Sequence, residues 1–114
     1  MGEAWIIDAA RTPRAIGKQG KGALWEIHPQ KLLSTVLSAL VERNGLDTND
    51  IDDVVMSCSS QVKKQAQCIA RMAALDAGYS TRASGVTLDR FCGGGISAVN
   101  MGACLLYTSD AADD

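Results

Sequence analysis

Val86-Thr87-Leu88-Asp89-Arg90-Phe91-Cys92-Gly93-Gly94-Gly95-Ile96-Ser97-Ala98-Val99 changes character twice within fourteen residues. Val86 to Asp89 is a short β-branched and apolar run that predicts a buried strand, and Ile96, Val99 and Asn100 recur at a spacing compatible with a helix. Strand, turn and helix therefore meet at Cys92. Upstream, Ile69, Met72, Ala73 and Leu75, with Ala66, Ala70, Ala74 and Ala77, predict a small-residue helix ending at Gly78. Cys68 belongs to that helix. Before it, Val54-Val55-Met56-Ser57-Cys58 predicts another buried strand, entered from the acidic turn Asp47 to Asp53 and left through the polar stretch Ser59 to Gln67.

Further upstream, Leu32, Leu33, Val36, Leu37, Leu40 and Val41 fall on one helical face. Pro29 suits the first turn of that helix and Asn44-Gly45 its stop, with His28 at the entrance as a surface or capping residue. Ala4 to Ala10 is apolar and ends at Arg11-Thr12-Pro13, which predicts a first buried strand meeting a turn. Between them, Arg14 to Gly22 holds Arg14, Lys18 and Lys21 among three glycines. It reads either as a solvated connector or as a loop touching phosphate. The order β-α-β-α-β-α predicts an α/β fold with right-handed crossovers and a mostly parallel sheet, with function at the carboxyl ends of the strands. Cys92 falls at such an end.

A cysteine entering a helix lies beside unpaired backbone N–H groups and the positive end of the helix dipole, which favour the thiolate over the thiol. The glycines that follow carry no Cβ, so a carbonyl can approach the sulfur while backbone N–H groups face the oxyanion it develops. That pattern suits acyl transfer through a nucleophilic Cys92; a glycine-rich turn holding an inert cysteine is the other reading. Gly93 to Ala98 also satisfies G-x-G-x-x-A after a strand, the pattern of a nucleotide-binding module that seats a pyrophosphate on the helix N-terminus. It would put Cys92 beside a phosphate, where a thiolate is repelled.

Composition narrows the classes. The 114 residues are 46% apolar and 21% charged with formal net charge −2, which excludes a disordered or fibrous chain and gives no field to draw nucleic acid or an anionic membrane. No apolar run approaches the roughly 18 to 20 residues needed to cross a bilayer. Glu3 and Asp8 stand where a signal peptide would be positive, so a cytoplasmic protein with reduced thiols is expected. Cys58, Cys68, Cys92 and Cys104 include no CxxC pair, and His28 is the sole histidine, which argues against a metal site. Cys58 and Cys68 read as small buried hydrophobes.

Leu88 to Val99 resembles the nucleophile segment of the thiolases, the acetyl-CoA acetyltransferases, with Cys92 at the acylated cysteine. Ile7-Asp8-Ala9-Ala10-Arg11-Thr12-Pro13 is similar to the opening strand and turn of that family, and Gln67-Cys68-Ile69-Ala70-Arg71 with Ala77-Gly78 to its Gln-x-x-Ala-Arg helix. The likeness covers residues 3 to about 103. Three departures stand out: glycine throughout after Cys92 where serine or alanine is usual, Lys63-Lys64 where smaller residues are common, and Ser80 in place of a frequent proline. Ketoacyl synthases share the fold and a cysteine nucleophile, but their flanking residues differ.

The resemblance implies ping-pong acyl transfer between a 3-ketoacyl-CoA or acyl-CoA and CoA, with no metal or redox cofactor. It also implies a parent that is a homodimer or homotetramer. The activating histidine and a second cysteine come from a C-terminal half in that family, so this chain, as an incomplete N-terminal portion, is expected to be inactive alone; a non-catalytic fragment is the remaining reading. Residues 1–103 are expected to form a partial N-terminal domain. Cys104 to Asp114 breaks the helical pattern and reads as a translated sequencing-adapter end, with three of the 13 acids, Asp110, Asp113 and Asp114.

Overall fold

The computed structural model describes residues 2–113, with side chains described through residue 108. Helix α1 spans Pro29–Asn44, strand β1 Asp53–Ser57, helix α2 Ile69–Asp76, strand β2 Ser84–Leu88 and helix α3 Gly94–Asp113, with single 3-10 turns at Thr48–Asp50, Lys63–Gln65 and Phe91–Gly93. β1 and β2 pair in parallel, Val54 opposite Gly85 and Met56 opposite Thr87. Parallel pairing needs a crossover, and α2 supplies it.

Side-chain alternation along the strands sorts the helices onto two faces. Val54 and Met56 point into the core formed with Leu37, Ala70, Ala73, Ala74 and Tyr79. Gly85 and Thr87, their partners on β2, face the same helix. A Cβ at Gly85 would lie 2.8 Å from both Cα and N of Arg71, and the Ala70 N–H donates to the Thr87 hydroxyl at 3.1 Å. The three α2 alanines are fully buried; their small size lets helix backbone and sheet approach. On the opposite face, Ser57 meets Gly94, and Val55 and Val99 line one cleft. The layers are therefore α1 over α2, the sheet, and α3.

Local signals set the ends of α1 as the sequence predicts. The Gln30 N–H donates to Nδ1 of His28 at 3.1 Å, and Gly45, at φ 59°, closes the helix with its N–H on the Val41 carbonyl. Tyr79 locks α1 to the segment after α2, its hydroxyl donating to the Leu37 carbonyl at 2.9 Å. Burial pushes its phenol above the ordinary range.

Four expectations need correction. Ala4 to Ala10 is not a strand: among the described residues it has no ladder partner, and Trp5, Ile6 and Ile7 are exposed. Apolar composition alone cannot make a strand without backbone groups to pair with. Cys68 is not inside α2 but precedes it at φ 57°, a left-handed residue, so the helix starts one turn later than Ala66 would suggest. α3 does not break after Ala103; it continues to Asp113, because alanine, leucine and their neighbours carry adequate helix propensity whatever their origin. Phe91–Thr108 is an apolar 18-residue window, long enough to cross a bilayer by length and composition, where no such run was expected. A core helix passes the same test, and Gly94 and Ala98 on one side of this one are already buried.

The N-terminal segment is held by side chains instead of a ladder. Asp8 accepts from Asn44 Nδ2 at 2.8 Å and pairs with the Arg43 guanidinium at 3.1 Å. The Asn44 amide, then the Ala9 N–H, then the Arg43 charge hold its carboxyl below the ordinary value. A depressed folded value means that the tether is fully formed above the ordinary carboxylate range and is lost as pH falls through the folded value. In a Trp25→Phe background, fluorescence anisotropy of Trp5 should drop over that acid range. Asp8→Ala should show the low anisotropy already at neutral pH; an unchanged signal in the variant would show that the contact does not hold the segment.

Candidate active site

Leu88 ends β2, and the chain reverses at Asp89 to Gly93. Arg90 has φ −143° and ψ 42°, and Phe91 has φ 45°. A left-handed phenylalanine is uncommon and costs on the order of 1 kcal/mol or more. The Phe91 N–H donates to Asp89 Oδ1 at 2.8 Å, an Asx turn that offsets part of the strain. Phe91 is itself 80% exposed, so burial of its ring does not hold this geometry. Its effect is to carry Cys92 to the tip of the turn, where the residue is exposed at the carboxyl edge of the sheet.

The three glycines have different duties. Gly94 is buried, and a Cβ there would fall inside the Ser57 side chain at the end of β1, so this glycine seats α3 on the sheet. Gly93 and Gly95 face open space, with only Arg90 Cγ at 3.9 Å from the former. The expectation that backbone N–H groups of this turn face an oxyanion is narrowed accordingly. The Gly93 N–H donates to the Arg90 carbonyl at 3.0 Å and the Gly94 N–H to the Phe91 carbonyl, both inside the 3-10 turn. Gly95 lies beyond that turn, the second residue of α3.

The other cysteines stay apart from this chemistry. Cys68 Sγ donates to the Gly85 carbonyl at 3.5 Å and accepts from the Thr87 hydroxyl at 3.6 Å, a structural role between α2 and β2. Cys58, one residue past β1, has its N–H on the Leu88 carbonyl and its sulfur 3.6 Å from Gln65 Nε2. Cys104 is exposed on α3. His28 Nδ1 is engaged at the start of α1. The sequence missed the left-handed Phe91, although Asp89 two residues earlier is its signal.

The carboxyl edge also carries the segment after β1. Val62, Lys63, Lys64 and Gln65 face Ile16, Trp25 and Leu32 across an open cleft. The basic loop of the sequence reading is thus one wall of a cleft and not only a connector, although Arg14, Lys18 and Lys21 do not line it.

Residues 4–112 match the family described as thiolase, N-terminal domain. That span reaches into the stretch after Ala103. A steroid 3-ketoacyl-CoA thiolase of Mycobacterium tuberculosis is 41% identical over 111 residues, covering 97% of this chain and 26% of the relative. The 3-oxoadipyl-CoA/3-oxo-5,6-dehydrosuberyl-CoA thiolase of Escherichia coli is 40% identical, over 96% and 27%. A 3-ketoacyl-CoA thiolase of Shewanella frigidimarina is 37% identical, over 95% and 28%. The chain spans about a quarter of the length of these curated relatives. The strand, turn and helix around Cys92 lie within the matched span, and the chain belongs to the thiolases, matching their N-terminal domain.

Proposed function

We propose that Cys92 is the acylated nucleophile of a thiolase-type acyl transfer carried out by the full-length protein. The observation that carries this reading is the exposure of Cys92 at the tip of a strained turn, at the carboxyl edge of a parallel sheet, with open glycine positions on both sides of the buried Gly94. The thiolate attacks the 3-keto carbon of a 3-ketoacyl-CoA, forming a C–S bond and a tetrahedral oxyanion. Collapse breaks the bond between C2 and C3; its electron pair passes to the acetyl-CoA carbanion, which takes a proton from an acid. The acyl group remains on sulfur as a thioester. CoA thiolate then attacks that carbonyl, and Cys92 leaves as thiolate. The reverse sequence is a Claisen condensation.

The chain's own residues supply the nucleophile and its position at the tip of the turn. The family resemblance assigns the base to a histidine and the proton transfer at carbon to a second cysteine, both outside this chain, so these 114 residues are proposed to be inactive alone. Electron pairs stay on carbon, sulfur and oxygen throughout, and the chemistry calls for CoA thioesters as substrates with no metal or redox group. Relatives named for 3-ketoacyl-CoA and 3-oxoadipyl-CoA support an assay of 3-ketoacyl-CoA substrates, dicarboxylic ones among them. A cytoplasmic setting suits a reduced thiol. α3 keeps large apolar side chains exposed, Ile96 at 73% and Val99 at 59%, while Gly94 and Ala98 are buried. Such a helix is normally covered on both faces, which supports further layers in the full-length protein. Family membership accounts for Gly93 to Ala98 without a nucleotide-binding module. Replacement of Cys92 in the full-length protein is the test.

A further inference from the structure

Between the loop that precedes α1 and the 3-10 turn that follows β1 lies an open cleft of about 830 Å³, within the size range of small-molecule sites. Its walls divide by chemistry. Ile16, Leu24, Trp25 and Val62 make it apolar, while Lys63 and Lys64 bring two positive charges to one side and Glu26 a negative charge to the other. Among the described residues neither lysine is in an ion pair; the pairs formed are Lys31 with Asp76 and Arg43 with Asp8. The lysine-bearing turn is anchored, since Gln65 Nε2 donates to the Ser60 carbonyl at 2.8 Å. It also sits just past the end of β1, on the edge of a parallel sheet where ligands bind in open α/β folds.

We propose that this cleft binds an amphiphilic anion, a ligand with an apolar body and one anionic end. The body lies against Trp25 and Ile16. The anionic end lies at Lys63 and Lys64, directed away from Glu26. Aliphatic carboxylates and aryl phosphates share this chemistry. The inference does not depend on catalysis by Cys92, because binding is read without turnover.

The test uses the whole chain with Trp5→Phe, so that fluorescence reports Trp25 alone. Octanoate, phenyl phosphate and uncharged octanol are titrated separately. A saturable change with octanoate and not with phenyl phosphate assigns the aliphatic carboxylate; the converse assigns the aryl phosphate; either supports the site. Lys63→Gln combined with Lys64→Gln should weaken the bound anion by about tenfold or more, in line with loss of charge-assisted hydrogen bonds, and leave octanol unaffected. Both lysines are exposed, and far-UV circular dichroism of the double variant should match the parent chain. Equal binding of octanol and octanoate, no saturable change with either anion, or full affinity in the double variant would each overturn the proposal.

Discussion

Cys92→Ser in the full-length protein is expected to lower thiolysis of a 3-ketoacyl-CoA by at least about 10³-fold, with the change in kcat rather than KM. The serine hydroxyl is nearly isosteric and Cys92 is exposed, so no core contact is lost and the fold should be retained. What changes is the nucleophile: a hydroxyl is far less ionised near neutral pH than a thiol and is a weaker nucleophile at carbonyl carbon. Bound substrate is still held by contacts elsewhere, so KM stays near its original value. Cys58→Ser and Cys104→Ser should leave the rate within about threefold, as neither sulfur lies on the turn. Equal losses at all three positions would point to general thiol sensitivity and not to one nucleophile.

Gly85→Ala should be among the most destabilising single methyl additions in the chain. Its Cβ would stand 2.8 Å from the backbone of Arg71, and backbone, unlike a side-chain tip, cannot turn aside. Either α2 lifts off the sheet or β2 shifts, at about 1 to 3 kcal/mol. Arg71 is also fixed from the far side, its guanidinium donating to the carbonyls of Ala83 and Thr81. Gly95→Ala makes the contrast: nothing lies within 4 Å of the added methyl, and alanine in a helix is favoured over glycine by about 0.8 to 1 kcal/mol. Urea unfolding of the two variants should therefore move in opposite directions. A stable Gly85→Ala chain would show that α2 does not bear on β2 as closely as described.

Elements announced by neighbouring residues were legible in the sequence. α1 begins and ends where His28-Pro29 and Asn44-Gly45 predict, because capping and helix stops depend on a few adjacent groups. β1 and β2 follow from short apolar runs and pair in the parallel sense that an intervening helix requires. Residues 4–10 carry the same kind of run and form no strand, since pairing depends on a distant partner that no local pattern encodes. The left-handed Cys68 and Phe91 were likewise hidden: side chains other than glycine enter that region only where surrounding contacts hold them there. At the site, the position of Cys92 was legible. The different roles of Gly93, Gly94 and Gly95 were not, because only the fold brings Ser57 against the second of them.

Acylation of Cys92 leaves a covalent mark that can be located on the protein. The full-length protein is incubated with acetyl-CoA in the absence of an acceptor, quenched in acid, digested and mapped by mass spectrometry. One acetyl group is expected on the peptide that contains Cys92, removed on adding free CoA. An acetyl group on a different residue, or none under conditions where the protein turns over, would contradict acylation at Cys92.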